Sequence, residues 1–418
     1  MTNPSLLQVL KSRSFLYLIL AEVFSQIAAN IVNFVLLIVA FDLSNSNTVV
    51  SGVVLAFMIP SILFGIPAGI YVDRWNKKKV LFLTNAVRAI MLVLLALLHH
   101  NLFFVYTLTF IISLVTQFFV PAETPMIPRL VNKQHLLVAN ALFGMGVYGS
   151  ILVAYGLSGP LLILLGKTNT FFFLSVLFVI ASFFVWRIKL SQQQKDAQVK
   201  TMEPLSVRRE ISSLFSLMAK TKEVSHSLFL LTLSQILILI LAVIGPGYAK
   251  QILSIPVDSF LLLFVTPAAL GMVIGAVIIG TYFNQTSKYL LANIGVFLSA
   301  VAVLVLPYGS SFASKGFITT MNMYLPDITV FNILVFLAFI MGFANALVFV
   351  PSNTILQEYT SDELRGKVYG ALNTFVGIFS LIPTIAAGGL ADIFGVAHVL
   401  TGIGIFLLLV GGVRLLVR

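Results

Sequence analysis

The chain has 418 residues, of which 59% are hydrophobic and only 9% are charged, and its mean hydropathy is +1.05. A soluble protein of this length needs a charged exterior that this composition does not supply, so lipid must be its outer solvent. The sequence contains no cysteine, which excludes disulfides and thiolate metal sites.

The apolar stretches run for about 20 residues without alternation, which indicates membrane helices rather than barrel strands. We therefore predict an all-α membrane protein of twelve transmembrane helices in two six-helix lobes. The lobes are expected at residues 1–188 and 226–418, separated by a polar, basic cytoplasmic linker at 189–225. The predicted spans are 15–41, 48–72, 79–98, 102–122, 136–165, 169–188, 226–249, 258–283, 289–309, 328–352, 366–390 and 394–416.

The basic residues predict the topology of these spans. With a cytoplasmic N-terminus, 21 of the 25 basic residues fall on cytoplasmic segments, three (Lys167, Lys250 and Lys315) fall outside, and Arg88 lies within a helix. The positive-inside rule then places both termini in the cytoplasm. It also accounts for the net charge of +11 without a nucleic-acid partner. We expect a multi-pass protein of a bacterial cytoplasmic (inner) membrane.

A carboxylate interrupts the first span. Glu22 follows Phe15 by seven residues, which places it about 10 Å into the helix. Spacings of four, four and three residues put four polar side chains within a stripe about 80° wide. This polar stripe of helix one consists of Glu22, Gln26, Asn30 and Asn33. A charge in lipid is costly, so the stripe is expected to line a bundle interior or a wet cavity.

A desolvated carboxyl group can take up and release a proton near neutral pH, so Glu22 is our candidate for proton coupling. The alternative is that Glu22 is permanently paired and only locks helix packing. Arg88 is a candidate partner for it, but Arg88 could equally serve a cytoplasmic gate with Asp73. Other acids, Asp42, Glu123, Asp258, Asp327 and Asp392, are expected close to membrane interfaces.

Further polar residues within the spans are candidates for a substrate cavity. Besides the amides of the polar stripe, Gln117 and Gln235 belong to this set, although each could instead form a helix–helix hydrogen bond. No metal-binding, nucleophile or phosphate-loop motif is present, so we expect neither an enzyme nor a cofactor.

The loop after the second span carries a motif, GIPAGIYVDRWNKKKV at 65–80. A small residue permits close helix approach, and an acid with bases can hold a cytoplasmic gate that breaks and re-forms. The predicted gate residues are Gly69, Asp73, Arg74, Lys77, Lys78 and Arg88. Segments 69–81 and 120–142 also align with 280–292 and 350–372, which indicates two repeated halves. Together these features resemble the major facilitator superfamily, and its signature motif matches Gly69 through Lys78.

Finer details resemble the drug/proton antiporter branch that contains macrolide-efflux and enterobactin-export proteins. They are PAETPMIPRL (121–130), PSNTILQEYTSDELRGKVYGALN (351–373) and Arg88. Gly159 and Pro160 match the core of the antiporter signature, although Ile163 and Leu164 replace the Gly-Gly that should follow. Lysophospholipid transporters of the superfamily have comparable stretches and remain an alternative.

This resemblance implies a monomeric multidrug efflux antiporter that exports a lipophilic or amphipathic small molecule by alternating access. Its partners would be that substrate, protons and membrane lipids. Lipid transport and siderophore export are the alternative functions.

Overall fold

In a computed structural model, residues 12–132, 135–189, 221–283, 286–308, 330–360 and 362–416 are described, and their regular structure is helical. Eleven of these helices are long and apolar enough to cross a membrane. The long helices are α1 (Arg13–Ser44), α2 (Asn47–Arg74), α3 (Lys77–Leu98), α4 (Leu102–Glu123), α6 (Leu136–Arg187), α7 (Lys222–Gln251), α8 (Thr266–Tyr282), α9 (Lys288–Val305), α10 (Val330–Glu358), α11 (Asp362–Phe394) and α12 (Val396–Leu416). The all-α membrane fold that the sequence predicts is thereby confirmed.

Helix α6 contains a break that separates two predicted spans. Gly166 has φ 70° and ψ 174°, a conformation that no helix adopts and that essentially only glycine tolerates. The helical arms on either side correspond to the spans predicted at 136–165 and 169–188. With the arms counted separately, the described helices accommodate twelve crossings, and the count and the cytoplasmic termini stay predictions.

Helix α4 continues further than the sequence indicates. A 3-10 turn, Thr124–Met126, and a short helix α5, Ile127–Leu130, follow it directly, and the apolar helical stretch runs from Leu102 to Leu130. Both short elements have proline in their first turn, where the missing N–H is harmless. The three prolines between 121 and 128 therefore do not end the span at 122.

The described residues group into two compact units. The first lies within Met1–Leu43 and Leu55–Glu203, and the second within Ser44–Val54 and Pro204–Arg418. The lobe boundaries predicted at 188 and 226 remain a prediction, because the segment between them lies largely outside the described residues.

Within the second unit, Asp392 at the end of α11 holds the start of α2. Its carboxylate accepts hydrogen bonds from the backbone N–H groups of Asn47 (2.8 Å) and Thr48 (2.9 Å) and from the hydroxyl of Ser46 (2.6 Å). A carboxylate at a helix N-terminus satisfies otherwise unpaired N–H groups and complements the helix dipole. This cap accounts for the grouping of residues 44–54 with the second unit.

Helices α8 and α10 of the second unit cross at glycine. A Cβ atom at Gly342 would overlap the carbonyl oxygen of Ala268, and one at Gly271 would overlap that of Phe339. Small residues let membrane helices pack backbone against backbone. In the first unit, buried apolar side chains of α1 to α4 form a core that includes Phe15, Leu18 and Phe119.

Candidate functional site

Glu22 is buried in the first unit and is only 1% exposed. It lies one helical turn beyond Leu18, which belongs to the apolar core of that unit. Gln26 donates a hydrogen bond from Nε2 to Glu22 Oε1 at 2.7 Å. The other carboxylate oxygen, Oε2, is buried and accepts no hydrogen bond from the described residues. Half of this carboxyl group is therefore unsatisfied.

A second acid faces Glu22, and the sequence did not predict it. Glu123, in the last turn of α4, is 6% exposed, and its carboxyl group lies within hydrogen-bonding reach of that of Glu22. Its Oε1 atom is also buried without a partner among the described residues. Apolar helical structure continues seven residues past Glu123 to Leu130. Glu123 is buried there, and its position relative to the membrane interface stays a prediction.

Arg88, on α3, is the cation of this cluster and is 2% exposed. Its Nη2 donates to Asn85 Oδ1 (3.0 Å) and its Nε donates to the carbonyl oxygen of Thr84 (3.3 Å). The guanidinium carbon lies 4.3 Å from the ring centre of Phe119 and 4.8 Å from that of Phe178. Cation–π contacts of this kind hold an arginine in place without an acid.

Arg88 interacts electrostatically with both Glu22 and Glu123. Among the described residues, neither carboxylate approaches Arg88 to ion-pair distance. Arg88 is thus a neighbour of Glu22, whereas its alternative role in a gate with Asp73 stays a prediction, because the side chain of Asp73 lies outside the described residues. We call Glu22, Glu123, Arg88 and Asn85 the acid cluster.

The acid cluster has unsatisfied hydrogen-bonding capacity. Asn85 Oδ1 accepts from Arg88 and from Ser25 Oγ (3.2 Å), but Asn85 Nδ2 has no partner among the described residues. Buried polar atoms are normally paired, and an unpaired one costs about 1–3 kcal/mol. The acid cluster therefore offers places for a proton or an ordered water, bounded by two acids and one fixed cation.

The rest of the polar stripe continues along α1. Asn30 Nδ2 donates to the backbone oxygen of Gln26 (2.8 Å) and to its side-chain oxygen (3.3 Å), which extends the hydrogen-bond chain from Glu22. Asn33, the last residue of the stripe, is exposed. Gln117 donates to the Ser113 carbonyl oxygen (3.1 Å) within its own helix.

The remaining predicted residues lie apart from the acid cluster. Gln235 is half-buried in the second unit. Gly159 is buried within the first arm of α6, followed by the half-buried Pro160.

The gate motif lies at the junction of α2 and α3. Lys77 Nζ donates to the Val72 carbonyl oxygen (3.2 Å), and Lys78 Nζ donates to the carbonyl oxygen of Ile188 (2.6 Å). Arg74 is exposed, and the side chain of Asp73 lies outside the described residues. A Cβ atom at Gly69 would meet nothing within 4 Å, so close packing does not explain this glycine here.

Comparison with known proteins extends these findings. A sequence model of the Major Facilitator Superfamily matches residues 18–325 of the chain. The uncharacterized MFS-type transporter YfiS of Bacillus subtilis (strain 168) is 26% identical over 399 residues, which cover 91% of this chain and 87% of YfiS. YvqJ of the same organism, also an uncharacterized MFS-type transporter, is 24% identical over 377 residues, covering 84% and 81%.

Solved structures agree at the level of the fold. The nucleoside transporter NupG superposes with a TM-score of 0.73 at 11% identity, covering 96% of this chain and 98% of NupG. A bacterial homologue of the human lysosomal transporter Spinster gives 0.70 at 13% identity, covering 97% and 96%. At such low sequence identity, the similarity establishes the fold but not the substrate.

Proposed function

Since the chain belongs to the Major Facilitator Superfamily and is a multi-pass bacterial secondary transporter, we propose that proton movement through the acid cluster drives its alternating access. The proposed cargo is a lipophilic or amphipathic small molecule, exported by a monomer. The observation that carries the proposal is the pair Glu22–Glu123, two buried carboxyl groups within hydrogen-bonding reach.

Charge counting explains why such a pair would carry a proton. With both acids ionised, the two carboxylates and the one guanidinium of Arg88 leave an excess negative charge inside the membrane. One added proton makes the cluster neutral and supplies the donor that the unpaired oxygens lack. Two carboxyl groups that share a site hold a common proton for the same reason.

Alternating access would then make this proton the coupling ion. When the acid cluster is open to the acidic side it takes up a proton, and when it opens to the other side the proton leaves. Arg88 stays in place throughout, because two aromatic rings and two oxygen atoms hold it. The polar stripe beyond Gln26 offers a hydrated route along α1.

A lipophilic cargo is supported by the character of the spans. Apart from Lys77 of the gate motif, the buried Asp, Glu, Lys and Arg side chains among the described residues of the first unit are Glu22, Arg88 and Glu123. A polyanionic substrate would find little opposite charge there. The 36 phenylalanines of the chain supply aromatic surface that suits a hydrophobic ligand.

The test is reconstitution in liposomes with an imposed proton gradient and labelled lipophilic drugs, lysolipids and a siderophore. Wild type should concentrate one drug against its gradient, and Glu22→Gln should only equilibrate it, a loss of accumulation of roughly tenfold or more. Asp42→Asn is the matched control, because it removes an acid at the far end of α1 that pairs with Lys167.

Equal accumulation by wild type and Glu22→Gln would overturn the coupling role. Transfer of lysolipid without any gradient would replace drug export by the lipid alternative. Gradient-driven transport of the siderophore alone would replace the cargo but retain the coupling.

A further inference from the structure

A surface groove on the second unit combines a long apolar wall with a single cation. It lies between α7 and α12, has a volume of about 380 Å³ and is lined by Phe229, Phe406, Leu409, Val410, Val413 and Arg414. Several of these apolar side chains are about half exposed, from 49% for Phe229 to 63% for Leu409. Half-exposed apolar side chains on a membrane helix are suited to contact with lipid.

The dimensions of the groove match one lipid leaflet. Phe406 and Arg414 are eight residues apart on α12, which is about 12 Å along the helix axis. Half of a bilayer's hydrocarbon core is about 15 Å thick. The spacing of Phe406, Val410 and Val413 puts them on one face of α12. An acyl chain lying along this face would contact the protein over most of the thickness of one leaflet.

Arg414 lies at the end of the groove in the last turn of α12, and a hydrogen bond to the neighbouring helix α9 fixes its orientation. Its Nε donates to Oδ1 of the buried Asn293 on α9 at 3.0 Å. Among the described residues, no carboxylate pairs with it at ion-pair distance. The terminal nitrogens of a guanidinium form a fork that matches two phosphate oxygens.

Arg414 is the cation that an anionic ligand would meet in this groove. His226, in the second turn of α7, is exposed and interacts electrostatically with Arg414, and Glu223 is the acid that faces His226. The positive-inside distribution assigns this end of α12 to the cytoplasmic leaflet, where anionic lipids meet basic residues.

We propose that this groove is a specific site for an anionic glycerophospholipid of the cytoplasmic leaflet. The lipid phosphate binds the guanidinium of Arg414, and one acyl chain lies against Phe406, Val410 and Val413. The inference does not depend on the acid cluster, which lies in the other unit. The proposed lipid is retained at this site, unlike annular lipid, which exchanges without a headgroup preference.

In the experiment, the full-length protein is exchanged into detergent that contains equal amounts of phosphatidylglycerol and phosphatidylcholine. Native mass spectrometry then measures how much of each lipid the protein retains. Wild type should retain phosphatidylglycerol preferentially, and Arg414→Gln should lower that preference by about tenfold. Arg187→Gln is the matched control, because Arg187 also ends an apolar helix but lies over the Phe183 ring and does not line this groove. It should keep the wild-type preference.

A second variant tests the apolar part without removing charge. Leu409→Trp should fill the groove and reduce retention of phosphatidylglycerol while leaving Arg414 intact, and it serves equally if Arg414→Gln does not fold. Unchanged retention in either folded variant would overturn the site, as would equal losses in Arg414→Gln and Arg187→Gln. Displacement of the lipid by glycerophosphate would show a phosphate site that needs no acyl chain, against the proposal.

Discussion

Glu22 and Glu123 are buried next to each other. Burying either carboxylate in its ionised form without a partner would cost free energy. Each presents one buried oxygen without a hydrogen-bond partner among the described residues, and each lies in the field of Arg88. A permanent structural role would be served better by a direct ion pair with Arg88. The observed arrangement instead keeps the cation at a distance and leaves room for a proton.

Glu123→Gln tests this interpretation at a residue that sequence reasoning missed. Because the amide is neutral and can donate to Glu22, it imitates the protonated acid. We expect substrate exchange between equal pools to persist, while proton-driven accumulation falls by roughly tenfold or more. Counterflow and gradient-driven uptake in the same liposomes measure the two quantities.

Glu123→Asp is the companion variant, since it keeps a titratable group and should retain dependence on the gradient. If Glu123→Gln lost exchange and accumulation together, the residue would be a packing element. If it lost neither, proton coupling would not involve α4.

Among the helices, α6 shows how one glycine can divide a long apolar segment. The break at Gly166 lets a stretch of 52 residues contain two predicted spans. A Cβ atom there would meet nothing within 4 Å, so the requirement for glycine comes from the backbone conformation alone.

Gly166→Ala should therefore lower the stability of the protein by about 1–3 kcal/mol through backbone strain. Thermal unfolding in detergent, followed by circular dichroism, measures the change as a lower midpoint. Gly156→Ala is the control, because Gly156 lies in the same helix, also has open space around its Cβ position and has no left-handed backbone. Its replacement should be neutral or slightly stabilising. Equal effects of the two variants would contradict the strain argument.

For the molecule as a whole, the distribution of basic residues predicts a topology that can be measured directly. The chain has no cysteine, so any introduced cysteine is its single thiol. Lys195→Cys should resist a membrane-impermeant maleimide in intact cells and react in inside-out vesicles, because the linker is predicted to be cytoplasmic.

Lys315→Cys should show the opposite pattern, and labelling after permeabilisation controls for reactivity at both positions. Both substitutions lie outside the described residues, so they test the charge rule alone. Labelling of Lys195→Cys in intact cells would invert the topology and move the proposed lipid site to the other leaflet.

The sequence by itself determined the fold class, the positions of the long helices and the polar stripe of α1. These features depend on local composition: an apolar run of sufficient length must form a helix in lipid, and a spacing of three or four residues defines a face. For the same reason, the predicted bounds of α3, 79–98, lie within two residues of the observed Lys77–Leu98.

Only the tertiary structure decided which side chains meet. Glu22 and Glu123 are 101 positions apart, and their proximity depends on how α1 packs against α4. The surroundings of Arg88 likewise come from three helices at once. The groove beside Arg414 exists because α7 and α12 leave space between them, which no pattern within either helix reports. Long-range packing, set by the shapes of many side chains together, decides such contacts.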